Sequence, residues 1–259
     1  MMSVFENRVK RILREGKPAF GLLLGIPHPE VAEMLSLLGY DWLIIDMEHA
    51  PIDLERLELM AMAIRSPVVP LARVPSNDPI YVKRVLDTGV MGVMIPHVDD
   101  REAAILAARS ARYPPRGIRG VGPRRAARYG LARREYLEKA DYEVMVIVQI
   151  ESWEAVKNAE DILTVDGVDA YFVGPADLST SMGFRGDWRR PEVLEAIERV
   201  AEVGRAHGVP GGTYCPNPGD VRWALGIGLR MLALGSDYRF LINCAKLRLE
   251  EARRMIKCA

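Results

Sequence analysis

Two acidic residues, Glu151 and Asp177, each follow a short apolar run and have the side chain that a hard divalent cation prefers. Carboxylates held close together repel each other unless a proton or a cation lies between them. Oxygen ligands suit Mg²⁺ or Mn²⁺, which often take one or two protein carboxylates and leave the remaining positions to water and substrate. The alternative is structural: Glu151 caps the helix that follows it, and Asp177 lies in a turn.

A histidine and an arginine add proton transfer and charge stabilisation to this chemistry. His49 follows Asp46 by three residues, and a histidine titrates near neutral pH, so a carboxylate that orients its ring would make it a base or an acid. Arg73 ends an apolar run, where a part-buried guanidinium needs an anionic partner and can stabilise an enolate oxygen. The structural alternatives are a loop histidine with satisfied hydrogen bonds and a salt bridge from Arg73 to Asp46 or Asp87.

The elements that must position these residues alternate between short apolar runs and longer helical patterns. This alternation is typical of βα units that build a parallel sheet. A (β/α)₈ barrel needs about 250 residues, so the 259 residues predict one α/β domain, a TIM barrel spanning residues 1–259. The eight predicted strands are residues 20–24, 42–46, 68–73, 92–95, 144–150, 170–173, 209–213 and 230–234.

The carboxyl ends of the strands form the active-site face of such a barrel. Nearly every predicted strand delivers a polar, charged or glycine residue at that end, among them Thr213 at the seventh. The turn Gly174-Pro175-Ala176 presents main-chain amides of the kind that bind carboxylates or phosphates. The ordered placement favours one shared site over scattered surface polarity.

Composition restricts the class of partner. The formal net charge is zero, with 49% hydrophobic and 27% charged residues, which gives no reason to expect nucleic acid or an anionic membrane. The three cysteines, Cys215, Cys244 and Cys258, form no metal or disulfide pattern, so a reducing, cytoplasmic location is expected. No apolar signal core precedes residue 16, and no apolar run reaches the roughly 20 residues of a membrane span.

The longest predicted connection, residues 112–134, is strongly basic. It contains eight arginines, three prolines and four glycines, and no acidic residue. Loops of this length in a compact domain are usually functional or lie at an interface. Because its aromatic residues are few, subunit contact or capture of an anionic substrate is favoured over nucleic-acid binding.

Four segments, in order along the chain, resemble the HpcH/HpaI aldolase/citrate lyase family. They are WLIIDMEHAP (residues 42–51), YPPRGIRG (113–120), QIE (149–151) and GPADLS (174–179). The resemblance covers nearly the whole chain. It implies a barrel of the phosphoenolpyruvate- or pyruvate-binding type, a class II pyruvate aldolase, and a homo-trimer or homo-hexamer.

The resemblance also implies roles for individual residues. Glu151 and Asp177 would bind a divalent metal ion, Mg²⁺, Mn²⁺ or Co²⁺. The residues implied to bind substrate are Arg73, Gln149, Gly174, Pro175, Ala176 and Thr213. His49 would handle the proton, either oriented by Asp46 or linked through water to Asp87.

The implied reaction is reversible cleavage of a 4-hydroxy-2-oxo acid to pyruvate and an aldehyde. Candidate substrates are 4-hydroxy-2-oxoheptanedioate, which belongs to aromatic compound catabolism, and 2-dehydro-3-deoxyglucarate. The absence of lysine at the predicted strand ends argues against a Schiff-base aldolase. Met47 and Arg116 stand where the family usually has smaller residues, and both are expected to reshape the aldehyde pocket.

Two other functions compete with this prediction. A malyl- or citramalyl-CoA-type lyase would use the same barrel and metal, but it needs a pocket for a long nucleotide. A non-catalytic protein that binds a polyanion through the arginine-rich segment would show no metal-dependent turnover.

Overall fold

A closed barrel of eight parallel strands forms the centre of the protein, in the order β1 to β8 with β8 pairing back to β1. The computed structural model describes residues 5–257. Residues 1–4 and 258–259, including Cys258 and both ends of the predicted domain, lie outside the described residues. The strands are β1 Ala19–Leu24, β2 Trp42–Asp46, β3 Val69–Arg73, β4 Gly92–Ile95, β5 Met145–Ile150, β6 Ala170–Val173, β7 Gly211–Tyr214 and β8 Met231–Ser236.

Helices follow the strands and cover the barrel. They are α1 Arg8–Arg14, α2 Pro29–Ser36, α3 Leu54–Ala63, α4 Pro79–Asp87, α5 Arg101–Ser110, α6 Arg133–Glu143, α7 Trp153–Lys157, α8 Ala159–Leu163, α9 Pro175–Ser181, α10 Pro191–Ala206, α11 Pro218–Gly226 and α12 Asp237–Lys257, with a short 3₁₀ turn at Arg128–Gly130. The predicted (β/α)₈ barrel is therefore confirmed. The seventh strand starts later than predicted because the Val209 amide bonds back to the Gly204 carbonyl at the end of α10.

The strands bury both faces, as in other parallel barrels. Side chains inside the barrel, such as Trp42, Ile44 and Leu71, pack with Val9 and Leu13 of α1, which closes the amino-terminal end. Intervening side chains face the helices in a second, larger cluster. Each large buried aliphatic side chain contributes roughly 1.5–3 kcal/mol to this arrangement.

The last helix, α12, covers the barrel less completely than the others. Asp237 fixes its start by accepting hydrogen bonds from the amides of Gly25 and Ile26 beyond β1. Further along, the helix leaves several apolar side chains exposed: Leu241, Ile242, Leu247, Leu249, Met255 and Ile256. Among the described residues, no helix has an apolar stretch long enough to cross a bilayer.

Gly21 gives the first testable prediction, because the Trp42 ring occupies the space that any side chain there would need. A Cβ atom at this position would lie 2.0 Å from the indole. Gly21→Ala is expected to destabilise the protein by about 2 kcal/mol or more through overpacking. The measurement is the free energy of unfolding in urea. The matched control is Gly219→Ala, where a Cβ meets nothing within 4 Å; equal effects of the two changes would contradict the packing argument.

Candidate active site

Along each strand, alternate side chains face the inside of the barrel. At the carboxyl-terminal end of the barrel, the side chains at these inward-facing positions are polar. In β2, Trp42 and Ile44 face the interior, so Asp46 at the strand's end faces the barrel mouth. In β3, Leu71 faces inward and Arg73 follows it two residues later. Asp46 and Arg73 are also paired in the β2–β3 register.

Asp46 and Arg73 form a buried bidentate ion pair. The Arg73 Nε and Nη2 atoms donate to the two Asp46 carboxylate oxygens over 2.9 and 2.6 Å. Burial alone would raise the pKa of Asp46, but the hydrogen bonds and charge of Arg73 outweigh it, so the pKa lies below its ordinary value. Burial lowers the pKa of Arg73, and Asp46 more than reverses this, so the guanidinium stays charged.

Glu48 completes the environment of Arg73. Its Oε2 atom lies 3.1 Å from Arg73 Nη1, and the side chain is only 10% exposed. Burial raises the pKa of Glu48, and the charge of Arg73 only partly opposes this. Arg73 therefore faces two carboxylates.

Glu151 is the most deeply buried acid of the site, with 4% of the residue exposed. Its Oε1 atom accepts a hydrogen bond of 2.8 Å from the His97 amide, and Gln149 Nε2 donates to its Oε2 atom. Gly174 makes room for it, because a Cβ there would lie 2.9 Å from Glu151 Oε2. Burial, together with the charges of Glu48 and Asp177, raises the pKa of Glu151 to about 7, although the amide and ring of His97 partly oppose this.

Glu48, His97 and Glu151 form a group whose potential ligand atoms all lie within 4.8 Å of one another. Neither Glu48 nor His97 was assigned a role from the sequence. The available signal for both was position: Glu48 follows the second strand, and His97 follows the fourth. His97 also has a positive φ of 52°, a conformation that is uncommon for residues other than glycine.

Asp177 lies in the first turn of α9 and is exposed. Its charge raises the pKa of Glu151, which makes the two predicted metal ligands electrostatic neighbours. No residue within the range 5–257 forms a hydrogen bond or ion pair with the Asp177 carboxylate. Pro175 opens α9, and no side chain caps its first turn, so the amides of Ala176 and Asp177 keep free hydrogen-bonding capacity.

His49 and Thr213 lie close to the site but differ from their expected contacts. Asp46 accepts a hydrogen bond from the main-chain amide of His49, not from its ring. The ring Nε2 atom lies 3.7 Å from Glu48 Oε2, and the side chain is 61% exposed. Thr213 is fully buried and donates its hydroxyl to the Val173 carbonyl, 3.1 Å away.

The structure does not bring Asp87 to His49 within one chain. Asp87 ends α4, which leads to the amino-terminal end of β4, whereas His49 follows the carboxyl-terminal end of β2. At that opposite end of the barrel, Asp87 accepts a 2.8 Å hydrogen bond from Arg119 Nη2. Asp46 and Arg73 are thus paired, Asp177 acts on Glu151 through its charge but is not part of the group formed by Glu48, His97 and Glu151, and Asp87 is separate.

The residues present fit a divalent cation. The site combines carboxylate and amide oxygen atoms, and one of its acids, Glu151, has a pKa that is raised chiefly by burial. The Oε1 atom of Gln149 is buried and accepts no hydrogen bond from any residue that the structure describes. An unsatisfied buried acceptor beside a buried carboxylate calls for a cation or its bound water.

Comparison with known proteins gives one family. The family model described as HpcH/HpaI aldolase/citrate lyase matches residues 19–244. A crystal structure of a protein of that family from Burkholderia cenocepacia J2315 superimposes with a TM-score of 0.91 at 39% identity, covering 95% of this chain and 99% of that one.

Two curated relatives carry names of aldolases. The 5-keto-4-deoxy-D-glucarate aldolase of Enterobacter sp. (strain 638) is 39% identical over 90% of this chain and 92% of its own length. The 4-hydroxy-2-oxo-heptane-1,7-dioate aldolase of Escherichia coli (strain ATCC 8739) is 41% identical over 93% of each chain.

The raised pKa of Glu151 gives a prediction for the metal-free protein. In the folded protein the Glu151 carboxyl group prefers its protonated form. Its contribution to the free energy of unfolding is therefore complete below its ordinary pKa of 4.5 and is lost as the pH rises through about 7. Between pH 5 and pH 8, the free energy of unfolding of the unaltered protein should fall by about 2–3 kcal/mol relative to that of Glu151→Gln. Unfolding in urea, with EDTA present, measures the free energy of unfolding of the unaltered protein and of Glu151→Gln at each pH.

The control is Glu195→Gln, which alters an exposed acid on α10. This variant should keep the pH dependence of the unaltered protein. If Glu151→Gln also keeps it, the buried carboxylate is ionised at no cost and the electrostatic description of the site is wrong.

Proposed function

The chain belongs to the HpcH/HpaI aldolase/citrate lyase family, and on this basis we propose that it is a divalent-metal-dependent class II aldolase. It cleaves a 4-hydroxy-2-oxo acid to pyruvate and an aldehyde, and it catalyses the reverse condensation. The observation that carries the proposal is the buried carboxylate of Glu151 at the barrel mouth, whose pKa is raised by burial and by the charges of Glu48 and Asp177. The ion is Mg²⁺, Mn²⁺ or Co²⁺, with Glu151 and Asp177 as its protein ligands.

The 2-oxo acid binds between α9 and Arg73. Amides of the first turn of α9, near Ala176, donate to its carboxylate, since no side chain caps them. A bound divalent cation supplies Lewis acidity at the keto oxygen and a template for the oxo acid. Gln149, which already donates to Glu151, offers its free Oε1 atom to the same shell.

Arg73 stabilises the negative charge that develops on the keto oxygen when the C3–C4 bond breaks. Asp46 holds the guanidinium in place with two hydrogen bonds and keeps it charged. A fixed charge of this kind favours the transition state without reorganisation. We therefore assign Asp46 the role of positioning Arg73. This role takes the place of the one expected from the sequence, in which Asp46 orients the His49 ring.

His49 handles the proton of the C4 hydroxyl. Its ring is accessible to substrate and lies within ion-pair range of Glu48. A histidine is suited to exchange a proton near neutral pH, and Glu48 stabilises the protonated ring. Since Asp87 lies at the other end of the barrel, we assign it no part in this step within one chain.

The substrate we propose is a dicarboxylic 4-hydroxy-2-oxo acid. Both named relatives take their names from such diacids, 5-keto-4-deoxy-D-glucarate and 4-hydroxy-2-oxo-heptane-1,7-dioate; the second would place the protein in aromatic compound catabolism. The free thiols of Cys215 and Cys244 support a reducing compartment such as the cytoplasm.

Removal of the metal tests this function directly. Pyruvate release from 4-hydroxy-2-oxoheptanedioate should fall at least about a hundredfold in EDTA and return when Mg²⁺, Mn²⁺ or Co²⁺ is added. Asp177→Asn should weaken metal binding, measured by calorimetry, together with activity. Arg73→Gln should lower kcat by about a hundredfold or more while metal binding persists.

Glu195→Gln serves again as the control and should retain both activity and metal affinity. Full turnover by metal-free protein, with chelation verified by elemental analysis, would rule out the proposed chemistry. Turnover of a CoA thioester in preference to the oxo acid would assign the site to the competing lyase.

We also propose that the protein forms a homo-trimer or homo-hexamer. Support comes from α12, where Leu241 and Ile242 are 62% and 61% exposed. Apolar residues grouped on one helix of a soluble protein usually mark an interface. Leu241→Glu should therefore lower the mass measured by light scattering, whereas Lys246→Gln, on the same helix, should not. A monomeric unaltered protein at micromolar concentration would contradict the assembly.

A further inference from the structure

A cavity lies at the amino-terminal end of the barrel, opposite the candidate active site. Its volume is about 650 Å³. The walls come from α1, the end of α10 and the segments that lead into β6, β7 and β8. No residue assigned to the proposed aldol chemistry lines it.

The charged side chains that line this cavity are mostly cationic: Lys10, Arg14, Arg205 and Arg230, with Asp169 as the one acid. Asp169 is already neutralised. It accepts from Lys10 Nζ over 2.6 Å and from Arg112 Nη2 over 2.8 Å. Two cations therefore share one carboxylate, and the cavity keeps an excess of positive charge.

Three arginines carry this excess. Arg14 and Arg205 are exposed, and their guanidinium groups form no hydrogen bond or ion pair with any residue between positions 5 and 257. Among the described residues, the Arg230 guanidinium donates to main-chain carbonyls, including that of Gly16, and to no carboxylate, which fixes it at the cavity wall with its charge unpaired there. Such groups are suited to phosphate, which arginine can bind through two parallel hydrogen bonds.

Tyr171 supplies a hydrogen-bond donor in the cavity wall. The residue is 1% exposed and lines the cavity, and its hydroxyl has no hydrogen-bond partner among the described residues. Gly204 and Gly211 make its position possible, since a Cβ at either would lie 2.3 or 2.1 Å from the ring. Burial raises the pKa of Tyr171 far above neutrality, so the hydroxyl remains a donor. Since the hydroxyl atom itself is not fully buried, it opens to the cavity and can donate a hydrogen bond to a ligand there.

We propose that this cavity binds a multivalent phosphate-bearing anion of metabolite size, with Arg14 and Arg205 pairing with its charge and the Tyr171 hydroxyl donating a hydrogen bond. The fixed guanidinium of Arg230 adds a third positive group. The volume exceeds that of a single phosphate and leaves room for a second phosphate or an organic portion. Leu13, Val209 and Leu225 give that portion an apolar wall.

Calorimetric titration of the full chain with inorganic pyrophosphate tests the site, with EDTA present so that no divalent cation bridges the anion to the active site. Pyrophosphate should bind with a measurable Kd, and potassium chloride at equal ionic strength should give no saturable heat. Arg14→Gln and Arg205→Gln should each raise the Kd by about fivefold or more. Tyr171→Phe, which keeps the ring and removes the hydroxyl, should raise it by about twofold to tenfold.

The matched control is Arg199→Gln, which removes an exposed arginine from the same helix as Arg205 but outside the cavity. It should leave the Kd unchanged. The proposal is overturned if the Arg14 and Arg205 variants bind as tightly as the unaltered protein, or if Arg199→Gln weakens binding equally, since binding would then follow surface charge alone. Because metal and oxo acid are absent, the result is independent of the proposed aldolase activity.

Discussion

The candidate active site depends on a buried carboxylate, that of Glu151, which forms no ion pair with a lysine or arginine among the described residues. Arg73 is paired with Asp46 and Glu48, so within residues 5–257 Glu151 accepts hydrogen bonds from the His97 amide and the Gln149 side chain, and the exposed His97 ring lies 3.7 Å from its Oε1 atom. Two like charges 4 Å apart repel by about 4 kcal/mol at the effective dielectric of a protein surface. Burial and the neighbouring acids therefore disfavour the ionised form of Glu151. The carboxyl group either stays protonated or needs an added cation to stabilise its charge. The site therefore has an excess of negative charge, which a bound metal ion would neutralise.

The alternation of side chains along each strand of the barrel brings these negative charges together. Residues two positions apart face the same side, so the interior that holds Trp42 and Leu71 also directs Asp46 and Arg73 to the barrel mouth. The same alternation carries β5 from Ile147 through Gln149 to Glu151. Apolar packing lower in the barrel thereby brings the charged groups of three strands together and limits their exposure to water.

The sequence was sufficient to predict the barrel, because its strands follow from local patterns. Apolar runs define strands, and polar residues that end them must meet at one end. Contacts that depend on side-chain direction were not predictable. Asp46 and His49 are three residues apart, yet the carboxylate bonds to Arg73 and to the His49 amide, leaving the ring beside Glu48. His97 was missed because its importance rests on a backbone conformation and an amide that bonds to Glu151.

In the arginine-rich segment, residues 112–134, part of the basic composition serves the fold. Arg119 is buried between the rings of Tyr113 and Tyr136 and bonds to Asp87, and Arg112 bonds to Asp169. These guanidinium groups hold the segment against the barrel and are not available to an external polyanion. Arg125 likewise donates to the Thr88 carbonyl. The basic composition therefore reflects in part how a long connection without acidic residues is fixed to the fold, while the other five arginines of the segment, Arg116, Arg124, Arg128, Arg133 and Arg134, remain exposed.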